Sequence, residues 1–410
     1  MRYFPAGFIF ADAGMSIFCK DSKQLMNILG VLNSQVSLVL ISNLSPTLNF
    51  EAGTLSKFPL NSEILDIKKT QQCIELAKTD WNNYETSWDF TENPLIRQKQ
   101  PTLKAAFEQW QTQNCAAIVE MKRLEEENNR LFIDAYGLQD ELSPDVLEAQ
   151  ITLGRADREK DIQRFISYAI GCMMGRYSLD ADGLIYANAG NVDFDLARYQ
   201  TFAADDDGII PLTDQDWFKD DATNRFRDFV RTVWGEDNLQ ANLSFVAESL
   251  CLGSLTAKRG EQSMETIRRY LSNQFYKDHL QTYKKRPIYW LFSSGKQKAF
   301  EGLVYLHRYN DSTLPRMRTE YVTPLLGKYE AFADQLKKQL EDATTSEATR
   351  LKKDLTALEK KQTELRAFDD KLKHYADRRI KLDLDDGVKV NYGKFGDLLA
   401  EVKAVTGGKE

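Results

Sequence analysis

Long apolar runs are absent from this chain. The most apolar stretch, Val31 to Leu44, is interrupted by Asn33, Ser34, Gln35, Ser37 and Ser42, well short of the roughly 18 clean residues a membrane-crossing helix requires. Phe8-Ile9-Phe10 is too short for the core of a secretory leader, and Pro5, Gly7, Asp12 and Gly14 break the region around it. A cytoplasmic protein is expected. Cysteine is sparse and scattered, at 19, 73, 115, 172 and 251, with no Cys-x-x-Cys spacing. That pattern fits reduced thiols and excludes both a disulfide framework and a clustered zinc site. His279, His307 and His374 are the only histidines and lie far apart in sequence, so no His-Glu-x-x-His metal helix exists. No two glycines are separated by a single residue and no two prolines adjoin. The glycine-rich turn by which α/β folds approach a nucleotide-like cofactor is therefore missing.

Near-matches to other motifs fail on spacing. Asp180-Ala181-Asp182-Gly183 and Asp205-Asp206-Asp207-Gly208 lack the alternating ligands and sixth-position glycine of a calcium loop, and read as solvated loops. Gly295-Lys296-Gln297 resembles a phosphate-binding loop, yet Trp290 stands where its first glycine belongs and Gln297 follows the lysine. Cofactor-binding, metal and catalytic residues are accordingly expected to be none within this span.

What is present is an ordinary globular composition, 42% apolar and 28% charged, over 410 residues. That length suits two to four domains on a prior of roughly 100–200 residues each. The fold class expected is mainly α with a small α/β N-terminal part. Residues 1–62 read as mixed, with strand patterns at Phe8-Ile9-Phe10 and Ile17-Phe18, a helix from Ser22 to Asn33, and a strand or helix over Val36–Ile41. Residues 63–136 read as a helical spacer whose second helix carries Leu103, Phe107, Trp110, Ile118, Leu124 and Leu131, with Glu120 to Glu127 as a solvated face. Residues 137–326 read as a helix-rich domain. Ile162, Phe165, Ile166, Ala169 and Ile170 form a buried face continued by Cys172, Met173 and Met174, and Gly171 and Gly175 are spaced for close helix packing. Residues 327–410 read as an antiparallel helical hairpin, with a capping box at Thr344 to Glu347, and a tail that folds back onto the body.

The formal charge is −7, which argues against a wholly basic sleeve but leaves room for a local patch. Arg268, Arg269, Lys277, Lys284, Lys285, Arg286, Lys296 and Lys298 fall close together, interleaved with Tyr270, Tyr276, Tyr283, Tyr289 and Trp290. Cations neutralise phosphates and aromatic rings stack on bases, so the segment is a candidate DNA phosphate contact. The competing reading makes the rings core and the cations solvated helix ends.

Several longer strings carry a family likeness. Leu44 to Gly53 running on to Phe58-Pro59-Leu60, then Trp81 to Phe90, Gly171 to Asp180, Lys285 to Phe292, and the tail Leu382 to Tyr392 together resemble the C-terminal part of PglX, the adenine-specific (N6) DNA methyltransferase of BREX phage defence. The chain is similar also to target-recognition and spacer regions of type IIG and type I enzymes. The resemblance implies that residues 1–62 are the end of a target-recognition domain, closing where Pro59 stops a last strand, and that the catalytic half lies outside this span. The family's S-adenosylmethionine turn and its Asn/Asp-Pro-Pro-Tyr/Phe loop for a flipped adenine have no counterpart here. The nearest string, Asn93-Pro94-Leu95-Ile96, lacks the second proline and the aromatic and reads as a turn. This chain alone is expected to be inactive and to bind no S-adenosylmethionine. Implied partners are double-stranded DNA together with the N-terminal half, other BREX proteins, and a DNA-mimic phage inhibitor. Alternatives from the residues are a protein-interaction module working through the hairpin, or an inert remnant of an interrupted gene.

Overall fold

The computed structural model describes residues 1–5, 7, 8, 16–44, 52–60 and 67–408. Along the chain run α1 (Ser22–Leu32), α2 (Gln35–Leu44), α3 (Ala52–Leu55), α4 (Ile67–Trp81), α5 (Pro94–Arg97), α6 (Leu103–Tyr136) and α7 (Arg158–Met173). A short strand β1 (Ile209–Pro211) precedes α8 (Ala222–Trp234), α9 (Leu239–Leu250), α10 (Ser263–Asn273) and α11 (Phe275–Thr282). Then come β2 (Tyr289–Ser293), β3 (Glu301–Tyr305), α12 (Thr313–Arg316), a π-helical turn at Met317–Val322, α13 (Thr323–Glu341), α14 (Thr345–Asp377), α15 (Gly387–Gly393) and α16 (Val402–Thr406). The class is mainly helical with one small sheet.

Two compact units divide the chain: Met1–Asn83 with Glu108–Ala156, and Tyr84–Phe107 with Asp157–Glu410. In the first, Val31, Leu32, Val36, Ile41, Phe58, Phe132 and Ile133 form one apolar cluster and Ile118, Met121, Val146, Ile151 and Leu153 another. α1 approaches α4 and α6 closely because Gly30 has no side chain; a Cβ there would stand 2.9 Å from Thr70 Oγ1 and 3.2 Å from Asn128 Oδ1. Side-chain amides then tie the layer: Asn128 Nδ2 donates to Gly30 O at 2.9 Å, and Asn129 Oδ1 accepts from Gln35 N at 3.0 Å. Glu120, Lys122, Arg123, Glu126 and Glu127 pair with one another along α6, so this charge run is a solvated face.

The strand expected at Ile17–Phe18 is not formed, and Val36–Ile41 is helical. Phe58-Pro59 follows the short helix α3 rather than a strand. Ile9 and Phe10 lie outside the described residues, as do the positions 45–51 of the Leu44–Gly53 string.

The second unit holds the sheet, antiparallel in the order β1-β3-β2, with Ile209 opposite Val304 and Tyr289 opposite Tyr305. Every residue of β1 and β3 is buried. Burial on both faces, which takes in even Glu301, leaves neither strand the apolar–polar alternation by which a strand is recognised in sequence. α7 is N-capped by Asp157, and its inward face supplies Ile162, Phe165, Ile166, Ala169 and Ile170. Phe165 meets Phe226, Phe229 and Trp234 edge-on or tilted at 5.4–5.8 Å. Gly171 and Gly175 do not serve helix–helix packing. A Cβ on Gly171 would collide with the Tyr177 ring, 2.5 Å away, and Gly175 is left-handed at the helix end and faces Phe194. α13 and α14 form the antiparallel hairpin, with Thr344 and Glu347 closing a reciprocal cap. Leu336, Leu351, Leu358, Leu365 and Leu372 are buried, and none of the large exposed apolar residues falls on either helix. The tail returns to the sheet edge, where Ala400 N donates to Leu291 O at 2.8 Å.

Candidate nucleic-acid interface

All the cations singled out in sequence lie in the second unit, but the fold treats them differently. α10 is amphipathic, begins with a reciprocal Gln262–Glu265 cap, and turns Ile267, Tyr270 and Leu271 inward. Arg268 follows them into the protein. Its Nη1 donates to Asp221 Oδ2, Thr213 O (3.2 Å) and Gln215 O (3.0 Å). Asp221 is 1% exposed and its Oδ1 caps α8 through Asn224 N at 2.8 Å. Burial pushes the Asp221 carboxyl upward in pKa, and Arg268 is the main group opposing that shift. Arg269 grips Glu261 with Nε at 2.8 Å and Nη2 at 2.6 Å. Lys298 reaches Ser272 O and Asn273 Oδ1 and pairs with Glu301 at 3.4 Å. These three cations are internal fasteners.

Lys277, Lys284, Lys285, Arg286 and Lys296 are exposed, and their side chains make no hydrogen bond or ion pair among the described residues. Lys277 rides the outer face of α11, whose inner face buries Phe275, Tyr276, His279 and Leu280. Lys284 to Arg286 form the turn that ends α11. Behind that turn, His279 Nε2 accepts from Ile288 N at 3.2 Å and Tyr289 N at 3.1 Å. An imidazole that accepts there must stay neutral at that nitrogen, and burial together with the nearby Arg176 charge lowers the His279 pKa to about 3.

Lys296 sits in the β2–β3 turn, which Glu364 of α14 pins. The Glu364 carboxylate accepts from Ser294 Oγ at 2.7 Å, Gln297 N at 2.6 Å and Ala299 N at 3.2 Å. The turn that resembled a phosphate loop thus already holds an anion, a carboxylate of its own chain. β2 separates the two cationic turns; its five residues extend about 16 Å at a rise of roughly 3.3 Å each. The basic segment is therefore two stations at opposite ends of a strand.

Four of the five interleaved aromatics are core, and the fifth, Tyr283, is half-buried with its ring 4.8 Å from that of His279. Tyr270, Tyr276, Tyr289 and Trp290 are buried, Trp290 Nε1 donates to Pro287 O at 3.0 Å, and the Tyr276 and Tyr392 hydroxyls meet at 2.7 Å. None is placed to stack on a base. The sequence signal for this was the unbroken apolar run Ile288 to Phe292, which marks a strand buried on both faces.

Sequence reasoning missed what the family-like strings do together. Glu85, from the Trp81–Phe90 string, accepts from Ser167 Oγ at 2.5 Å, and its Oε2 is shut off from solvent against the Tyr283 hydroxyl. Burial raises the Glu85 pKa, with Ser167 and then Arg176 opposing. Arg176, from the Gly171–Asp180 string, donates to Tyr177 Oη at 3.0 Å and Tyr305 Oη at 3.4 Å. Tyr289, from the Lys285–Phe292 string, brings its hydroxyl to 3.0 Å from where a Gly171 Cβ would be. Tyr168 and Tyr177 stack at 5.2 Å beside them, with Phe90 on edge. Three separated strings thus build one buried polar knot beneath the Lys284–Arg286 turn.

The acidic loops are structural as well. Asp180 accepts from Gln200 N at 2.7 Å and Thr201 N at 3.0 Å. The Asp205–Gly208 turn wraps the buried Arg308, which donates to Asp205 O and to Asp206 O. Burial, with Asp205 alongside, pushes the Asp207 carboxyl up to about 8. Among the described residues no group of histidine, cysteine and carboxylate side chains could hold a metal ion, and no single helix is long and apolar enough to cross a membrane. Asn93, in the string nearest to a methyltransferase loop, caps α5 by accepting from Leu95 N at 3.0 Å.

No protein-family profile matches the chain. Two curated proteins do. One, named adenine-specific methyltransferase BrxX, from Escherichia coli O9:H4 (strain HS), is 50% identical over 430 aligned positions, covering 99% of this chain and 35% of the relative. The other, adenine-specific methyltransferase PglX from Lacticaseibacillus casei (strain Zhang), is 43% identical over 404 positions, covering 96% of this chain and 33% of the relative. The chain spans about a third of the length of the curated relatives it matches.

Proposed function

We propose, for a chain that belongs to the PglX- and BrxX-like adenine-specific methyltransferases while spanning about a third of their length, that this portion engages the DNA backbone. The observation that carries the reading is the set Lys277, Lys284, Lys285, Arg286 and Lys296: exposed, unpaired among the described residues, and mounted next to turns that the buried His279 and the half-buried Glu364 hold in place. A cation fixed in this way neutralises phosphate without a large ordering cost. Arg268, Arg269 and Lys298 are left out of the contact set because their charges are already met inside the fold.

In the whole enzyme, S-adenosylmethionine binding, extrusion of an adenine and N6 methylation belong to other residues, since neither the glycine-rich turn nor the double-proline loop occurs in these 410 residues. The span described here positions DNA for that chemistry, and in a BREX setting the product marks host DNA as self. A partner-docking role for the hairpin has less to stand on, because α13 and α14 bury their own apolar stripe.

The test is binding of the purified 410-residue chain to a fluorescent DNA duplex across a salt series, beside Lys284→Glu/Lys285→Glu/Arg286→Glu. Each lost phosphate contact makes the slope of log affinity against log salt shallower by about 0.9, so the triple variant should lose about 2.7. Absence of binding by the unaltered chain at low salt overturns the reading.

A further inference from the structure

At the end of α11 the backbone is left-handed for two residues running, Lys284 at φ 50° and Lys285 at φ 60°. An L side chain crowds the carbonyl in that conformation, and glycine is the residue that adopts it freely. The turn makes no use of either lysine side chain. Lys284 N donates to Gln281 O at 3.1 Å, Lys285 N to Leu280 O at 2.7 Å and Arg286 N to Tyr283 O at 2.9 Å. This completes the helix end with backbone alone, in the manner of a Schellman cap.

Of the other left-handed non-glycine residues, Lys99, Asp193, Arg379 and Glu401 are exposed single positions, while two put their side chains to use inside the fold. Lys298, at φ 49°, uses its ammonium on Ser272 O and Asn273 Oδ1, and Asn191, at φ 60°, uses its Oδ1 to accept from Arg308 Nε at 3.1 Å. Lys284 and Lys285 carry the same backbone strain at two consecutive positions, the one such run of non-glycine residues among the described residues, with exposed side chains and no partner there. Strain that the fold does not require points to a use outside it.

We propose that Lys284 and Lys285 are a preset pair of phosphate contacts, kept as lysines for their charge at positions where the fold alone favours glycine. This rests on the DNA-engaging reading above. The His279 acceptor that fixes Ile288 N and Tyr289 N holds the far side of the turn, so the pair meets the nucleic acid backbone already ordered. The competing explanation is that the two charges merely offset the negative end of the α11 dipole.

Two double variants separate these, each in the full 410-residue chain: Lys284→Gly/Lys285→Gly and Lys284→Ala/Lys285→Ala. Both remove the same charge, but glycine relieves the left-handed strain and alanine keeps it. Expected is an equal loss of duplex affinity, each slope against log salt shallower by about 1.8, with the glycine variant melting at or above the unaltered chain and the alanine variant below the glycine one. If the glycine variant binds duplex as the unaltered chain does, the proposal fails and the broader DNA reading stands. If the glycine variant melts lower than the unaltered chain, the lysines serve the helix end and the proposal fails. Failure of the unaltered chain to bind at low salt removes both readings.

Discussion

Replacing Arg268 with alanine removes the partner of a carboxylate that has no route to water. Asp221 is 1% exposed, caps α8 through Asn224 N, and shares the Arg268 guanidinium with Thr213 O and Gln215 O. Breaking a buried ion pair from one side costs about 3–5 kcal/mol, because the surviving charge is stranded. Asp221 can shed part of that cost by taking up a proton, since burial already raises its pKa against the opposition of Arg268. The low end, about 3 kcal/mol, is therefore the expectation. At about 2–4 °C per kcal/mol, the value for chains of a few hundred residues, the melting temperature falls by about 6–12 °C.

The sign with pH follows from the same carboxyl. In Arg268→Ala the folded-state pKa of Asp221 rises further above its unfolded value. Stability is then least affected near pH 4 and is lost as pH rises. Thermal melts of the single variants Arg268→Ala and Asp221→Asn and of their combination should show strong non-additivity, with the double variant recovering much of the loss. A variant that melts like the unaltered chain yet binds duplex with a shallower salt slope would refute the reasoning, because Arg268 would then be a phosphate contact and no fastener.

Three further expectations follow from local geometry. His279, with a pKa lowered to about 3 by burial, stays neutral in the fold while the unfolded chain takes up a proton below about pH 6.5; urea unfolding should thus lose about 2 kcal/mol from this group between about pH 7.5 and pH 5. His279→Gln should flatten that dependence, and an unchanged profile would count against it. Gly171→Ala sets a Cβ 2.5 Å from the Tyr177 ring, and the overpacking should cost about 1–3 kcal/mol and alter the near-ultraviolet aromatic dichroism. Thr344→Ala breaks the reciprocal cap with Glu347, costing about 1 kcal/mol, and hydrogen exchange should accelerate in the first turn of α14 while duplex affinity stays constant.

The parts of this fold that were legible in sequence are those specified locally. The hairpin carries leucines at heptad-like spacing and a four-residue cap at its bend, and α7 carries an unbroken apolar face; both signals sit within a few turns of chain. The proposed DNA-contact set was only half legible, because charge does not reveal its partner. Arg268 and Asp221 are 47 residues apart, and nothing near either position announces the pairing. The tyrosines misled for a related reason, since a ring that suits base stacking suits a core equally, and only the third dimension placed Tyr276 against Tyr392. The short sheet drew no strand assignment at all because β1 has three residues and all are buried, leaving no alternation to see. The left-handed lysines carry no sequence mark, for lysine is a poor predictor of that conformation.

An acidic chain can still meet DNA if its cations are unevenly committed. The net charge is −7, but the Arg268, Arg269 and Lys298 charges are cancelled by Asp221, Glu261 and Glu301 at contact distance. Their neighbours Lys284, Lys285, Arg286 and Lys296 have no such partner among the described residues. At physiological salt, fields from exposed charges fade over about 8 Å, so carboxylates elsewhere on the surface weigh little on a phosphate at either turn. The two turns are separated by β2, about 16 Å of extended chain, a length that corresponds to about five base steps of rise along a duplex axis at about 3.4 Å per step. Two separated stations set the direction of a backbone as well as its position, which a single cluster of equal charge cannot do. Pinning each turn from behind, by His279 at one end of β2 and Glu364 at the other, keeps that spacing fixed in the free protein. On the proposed reading, those two side chains bear on DNA engagement as directly as the lysines, though neither is placed to touch the nucleic acid.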